Sequence, residues 1–215
     1  MTSQSQKEEV TLAQFLDSIA GPSATPGGGS ASALAGCLGA ALVEMVINLT
    51  LGKKGAAGQE TELQKIREAA HSYREALTGT IEQDSLAYQA VMNAFLLPKK
   101  TDEEKRKRKE QIQHALKRAA DPPLFTAATS LKVLNLCQEA LEKGNPNTIS
   151  DAAVGALLAD AALGGGIFNV LINLSALEDK HFVEKMKKEL QRLEAEGEGI
   201  KKIILSRIKE KINSP

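Results

Sequence analysis

The residues most able to do chemistry sit among apolar neighbours. Asp84 and Tyr88 are four apart in a helical stretch, which makes them neighbours on one helix surface. Asp151, Asn169 and Asn173 punctuate a second stretch that is otherwise rich in Ala, Gly, Leu and Ile. At about 100° per residue, Asp151, Gly155, Ala162, Gly166, Asn169 and Asn173 fall on one face, and Asp160 projects to the other side. A third stretch groups Ser30, Cys37, Ala41, Glu44 and Asn48 in the same way. Polar groups among apolar ones are costly to bury unless they pair with each other or with a ligand. A carboxylate so placed can relay protons or stabilise a developing positive charge. The plainer alternative is that these Asp and Asn residues only cap turns or tie helices together, and Glu44 reads as structurally paired or as an interface residue.

Gly27-Gly28-Gly29-Ser30 leads into a helix start, where free N–H groups and the helix dipole attract anions. Ser30 is expected to cap that helix. No Lys-Ser or Lys-Thr follows at P-loop spacing and no strand precedes, so neither nucleotide motif is present. His71, His114 and His181 are scattered and have no second His or Cys at metal spacing, so no metal site is expected. Cys37 and Cys137 make no disulfide framework.

These residues need long helices to hold them. Residues 11–19 read as a short amphipathic helix and 20–29 as a Pro/Gly loop. Residues 31–51 are almost wholly apolar. Their length suits a membrane span, but Glu44 and Asn48 inside the run argue for a central helix among other helices. After a Gly-rich break at 52–58, helical periodicity runs from 59 to 97, with a kink expected near Gly79. Thr101 with Glu104 forms a capping box that starts the next helix. Asp121-Pro122-Pro123 breaks the chain, and a helix follows over 124–142. Residues 144–147 form a turn, and Thr148 with Asp151 starts an Ala-rich helix to 177, interrupted at Gly164-Gly165-Gly166 by a kink or a close backbone approach. The last helix spans 180–213 and carries Val183, Met186, Leu190, Leu193, Ile200, Ile204 and Ile208 as an apolar stripe for the body or a second subunit. No segment alternates with period two, so the fold expected is all-α: one domain over 1–215, a bundle of long helices around Ala/Gly-rich central helices, with 1–10 as a disordered tail.

Composition agrees. The 215 residues carry 27 basic and 27 acidic side chains and 3% aromatics with no Trp, so the core is built from Ala, Leu, Ile, Val and Gly, and a nucleic-acid partner is not expected. The polar start lacks a signal-peptide pattern, and a cytoplasmic setting without a membrane partner is expected.

Thr25-Pro-Gly-Gly-Gly-Ser-Ala-Ser-Ala-Leu-Ala-Gly, continuing through Asn48-Leu-Thr-Leu-Gly-Lys-Lys54, resembles the opening signature of the formiminotetrahydrofolate cyclodeaminase family, which includes free-standing methenyltetrahydrofolate cyclohydrolases. Asp84-Ser-Leu-Ala-Tyr88, Pro122-Pro123-Leu124, Gly144-Asn145-Pro146-Asn147 with Ser150-Asp151, and Ile167 to Leu174 are similar to its later motifs. The resemblance implies an all-helical subunit, a homodimer, and no cofactor beyond the tetrahydrofolate substrate. It implies cyclodeamination of 5-formiminotetrahydrofolate to 5,10-methenyltetrahydrofolate, or alternatively hydrolysis of the methenyl compound to 10-formyltetrahydrofolate. Asp84 and Asp151 are then the candidate acid/base groups, with Tyr88 as a proton partner. Asn169 and Asn173 are candidates for the pterin amide edge. Lys53, Lys54 and the N–H groups at Gly28, Gly29 and Ser30 are candidates for the glutamate tail, and Asn145 for substrate binding. A non-catalytic helical folate-binding or assembly protein is the reading of another class.

Overall fold

Helix ends in this chain are set by capping chemistry and by glycine. In the computed structural model, which describes residues 10–53 and 58–213, seven α-helices follow one another among the described residues: α1 Leu12–Ala20, α2 Gly28–Asn48, α3 Glu60–Phe95, α4 Asp102–Ala119, α5 Asp121–Lys143, α6 Ile149–Ser175 and α7 Lys180–Asn213. No strand occurs among the described residues, and the all-α expectation holds. Most of the expected tail over 1–10, and Lys54, lie outside the described residues. Thr11 with Gln14 and Thr101 with Glu104 both form reciprocal capping boxes.

Several boundaries differ from expectation, each for a physical reason. α2 starts at Gly28 with Gly27 as its N-cap, so Ser30 lies inside the first turn and is not the cap. α5 starts at Asp121, because Pro122 and Pro123 occupy a first turn whose N–H groups have no helical partner anyway. Thr148 makes no capping bond to α6; its hydroxyl donates to Asn145 O at 2.7 Å after a short 3-10 turn over Pro146–Thr148. α3 passes Gly79 without a break. α6 likewise runs unbroken through 164–166. Close approach explains two of its glycines: a Cβ on Gly166 would lie 2.7 Å from Pro123 O, and one on Gly165 would overlap the Ser32 hydroxyl.

α2 and α6 run antiparallel as the central pair. Gly28 faces Asn169 at one end, and Gly39 packs on Gly155 further along, where a Cβ would meet Gly155 O at 2.9 Å. α3 is antiparallel to α2, tied by Ser30 to Asp84 at one end and by Glu44 to Arg74 further on. α5 packs across α2, α3 and α6. The core between them holds Val43, Val46, Ile47, Leu63, Leu77 and Leu134, all inaccessible, each contributing about 1.5–3 kcal/mol of burial. The stripe on α7 packs on the chain's own body, where Met186, Leu190, Leu193, Ile204 and Ile208 are buried. It is therefore not a free surface for pairing. α2 and α6 are both long and apolar enough to cross a membrane, but in this bundle they are the core helices.

Candidate active site

Asp84 is held where α3 passes the first turn of α2. Gly29 leaves room for it: a Cβ at that position would come within 2.5 Å of the Asp84 carboxyl carbon. Buried Ser30 donates its hydroxyl toward Asp84 Oδ2 at 3.2 Å and toward Ile81 O at 3.0 Å, and its backbone N–H also serves the carboxylate. Burial pushes the Asp84 carboxyl above the usual carboxylate range, and the two Ser30 bonds pull it partly back. A carboxyl so balanced is suited to take and return a proton. The Ser30 N–H in the first turn of α2 thus serves the chain's own carboxylate.

Asn169 completes this end. Its side chain lies against Gly28 and donates to Gly165 O at 2.8 Å, which leaves Oδ1 and one N–H for a ligand. Asn173 differs. Its amide gives one hydrogen to Ala119 O at 3.0 Å and the other to Asn169 O at 2.9 Å. Both donors are used in tying α6 to the end of α4, so Asn173 supports the site structurally. Tyr88 lies one turn along α3 from Asp84 and is 40% exposed. Ser85, which sequence reasoning passed over, sits with its hydroxyl 3.4 Å from Ser30 Oγ; its place beside Asp84 in the motif was the available signal. On another side of α3, that helix, α4 and the start of α5 border a cleft of about 960 Å³ whose lining includes Gln83, Ala87, His114, Arg118 and Phe125 but not Asp84, Ser30 or Asn169.

The remaining sequence candidates are at the other end of the bundle. Asn145 accepts Asn147 N–H, donates its own N–H to Thr50 Oγ1 at 2.8 Å and reaches Leu49 O at 3.4 Å, so it organises the turn at the end of α2. Asp151 stands in the first turn of α6, and Lys53 follows α2. The 21 residues of α2 separate the two ends, which at 1.5 Å per residue is about 30 Å. Within one subunit the two acid/base candidates, Asp84 and Asp151, therefore stand at opposite ends of the bundle. Glu44 is paired structurally, with Arg74 Nε at 2.6 Å and His71 Nδ1 at 3.3 Å. No group of three or more His, Cys, Asp or Glu able to hold a metal occurs among the described residues.

The family model described as Formiminotransferase-cyclodeaminase matches residues 11–192. The chain belongs to this family. It is 45% identical over 203 residues to a methenyltetrahydrofolate cyclohydrolase of Methylorubrum extorquens, covering 94% of this chain and 98% of that one. It is 32% identical over 197 residues to the formimidoyltransferase-cyclodeaminase of Rattus norvegicus, covering 92% of this chain and 36% of the relative. The chain therefore spans about a third of that bifunctional relative. The crystal structure of a formiminotetrahydrofolate cyclodeaminase from Thermotoga maritima superposes with a TM-score of 0.86 at 32% identity, over 95% of this chain and 98% of the other. The Asp84 motif and the glycine-rich opening meet in space.

Proposed function

We propose that this chain is a tetrahydrofolate one-carbon enzyme that hydrolyses 5,10-methenyltetrahydrofolate to 10-formyltetrahydrofolate. The observation that carries the reading is the half-buried Asp84 carboxyl on Ser30 at the start of α2, with Asn169 facing it. End-to-end similarity to a cyclohydrolase supports placing that reaction first. Water adds to the methenyl carbon, and Asp84 takes one of its protons. The N5–carbon bond of the tetrahedral intermediate then breaks as that proton passes to N5. The second proton of the water is released, leaving the formyl group on N10. A negative carboxylate also stabilises the cationic methenyl substrate.

The second reading is cyclodeamination, favoured by the fold match to a cyclodeaminase. There N10 attacks the formimino carbon of 5-formiminotetrahydrofolate, its proton goes to a base, and the formimino nitrogen leaves as ammonia. The same carboxyl serves either reaction. In this account Asn169 bonds the pterin amide edge and Tyr88 assists proton transfer. The chemistry asks for no cofactor beyond the folate substrate. The two free, buried cysteines fit a reducing, cytoplasmic setting, and the active form is a homodimer.

Following the methenyl absorbance tests the reading. Loss of absorbance faster than spontaneous hydrolysis supports the cyclohydrolase. A rise from 5-formiminotetrahydrofolate, with ammonia released, supports the cyclodeaminase.

A further inference from the structure

Asp84 is one end of a row of three side-chain oxygens. Its Oδ2 lies 3.2 Å from Ser30 Oγ, and Ser30 Oγ lies 3.4 Å from Ser85 Oγ. Ser30 is fully buried, whereas Asp84 and Ser85 are both half-buried. The fully buried hydroxyl thus stands between two groups that each keep some access to water.

Counting acceptors fixes the hydrogens in this row. A serine hydroxyl donates once and accepts through two lone pairs. The single Ser30 hydrogen has two near acceptors, Ile81 O at 3.0 Å and Asp84 Oδ2 at 3.2 Å. Ser85 Oγ makes no other hydrogen bond among the described residues. With Asp84 ionised, Ser85 therefore donates to Ser30, and Ser30 donates toward Asp84. Each bond polarises the next. With Asp84 protonated on Oδ2, the same oxygens carry their hydrogens the other way, from Asp84 to Ser30 and from Ser30 to Ser85. The two patterns differ only by rotation of two hydroxyls and one proton. Burial and Ser30 set the proton affinity of Asp84, and no charged side chain is among the causes. Tyr88, one turn along α3, is the competing proton carrier of the motif.

Hydrolysis of a methenyl carbon leaves a surplus proton. Water brings two protons, and only one stays, on N5. Once that proton has passed to N5, Asp84 is a carboxylate again. It takes the second from the oxygen that becomes the formyl C=O, and must lose it before the next turnover.

We propose that Asp84, Ser30 and Ser85 form a proton relay with Ser85 as its outer member, and that the surplus proton of hydrolysis leaves along it while the folate still covers Asp84. The proposal rests on the folate one-carbon reading above. The proton on Asp84 Oδ2 passes to Ser30 Oγ, the Ser30 hydrogen to Ser85 Oγ, and the Ser85 hydrogen to solvent water. Neither serine keeps a charge. Ser85 acts through Ser30 and touches no substrate.

Variants of Ser85 test this on 5,10-methenyltetrahydrofolate. Ser85→Ala is expected to lower kcat about tenfold, a fraction of what the acid/base group itself supplies. KM should be unchanged, and the solvent deuterium isotope effect on kcat should grow as proton exit becomes limiting. Ser85→Thr keeps the hydroxyl and should restore the rate. A Ser30→Ala/Ser85→Ala double variant should be no slower than Ser30→Ala alone, since the outer hydroxyl works only through the inner one. A Ser85→Ala kcat close to that of the wild type, losses that add in the double variant, or a slow Tyr88→Phe beside a normal Ser85→Ala would overturn the proposal. A wild type silent on both folate substrates counts against the one-carbon reading instead. The hydroxyl row is then read without turnover, from the carboxyl-carbon NMR resonance of Asp84. Ser85→Ala should move its titration to higher pH, because Ser30 then donates less strongly to the carboxylate. An unmoved titration contradicts the row.

Discussion

Gly29 and Asp84 compete for the same space. A Cβ on Gly29 would lie 2.6 Å from Asp84 Oδ2, and only its absence lets the carboxyl reach the first turn of α2. Gly29→Ala is therefore expected to swing the Asp84 side chain away from Ser30. Turnover should fall about tenfold or more, in keeping with a displaced general acid/base. The helical circular dichroism spectrum should be unchanged, because the obstacle is a side chain that can rotate.

Asp84→Asn separates catalysis from stability. Turnover of the methenyl substrate should drop about 100-fold or more. The folded-state pKa is raised above 3.8 by burial, so the wild type has this group's full contribution to stability below that value. The contribution is lost as pH rises through the higher folded value. The neutral variant escapes that loss. Its melting temperature should exceed that of the wild type by a few degrees at pH 8 and show no such advantage at pH 3. A variant less stable than the wild type at pH 8 would contradict the assigned burial.

Ser30→Ala removes the hydroxyl that stabilises the charged form of Asp84. The Asp84 pKa should rise further. The limb of the pH–rate profile that reports carboxylate formation should move to higher pH, with kcat reduced about tenfold at neutral pH. An unmoved limb would mean that another group controls the rate.

Asn173→Ala should act on the fold. It removes both donors that hold α6 to Ala119 and to its own preceding turn. Leaving the Ala119 carbonyl without this donor costs about 1–3 kcal/mol, which for a chain of this size lowers the melting temperature by about 2–4 °C per kcal/mol; Asn169 O keeps its helical partner within α6. The kcat of the remaining folded protein should stay within about threefold of normal. Asn169→Ala, by contrast, should raise KM, since its free carboxamide atoms face the ligand.

The fold was largely legible because long apolar periodicities and Thr-based capping boxes act locally, as at Thr101 with Glu104. Boundaries were missed where a local breaker was absorbed by position or packing. Pro122 and Pro123 sit in a first turn, and Gly165 and Gly166 admit neighbours without bending α6. Asp84, Ser30 and Asn169 stood out by residue type, and the fold brings them to one end of the bundle. Projection on a wheel could not say that Asp151 and Asn169, on one face of α6, lie about 27 Å apart along its axis. Nor could it tell that Asn173 uses both its hydrogens on backbone carbonyls. Long-range pairings such as Ser30 with Asp84, 54 residues apart, are set by tertiary packing and have no trace in local periodicity.

The most direct test of the central claim follows the methenyl absorbance of 5,10-methenyltetrahydrofolate with the purified wild type and with Asp84→Asn. The account predicts decay well above the spontaneous rate for the wild type and decay near the spontaneous rate for the variant. A correctly folded wild type that changes neither this substrate nor 5-formiminotetrahydrofolate, or an Asp84→Asn protein as fast as the wild type, would contradict it.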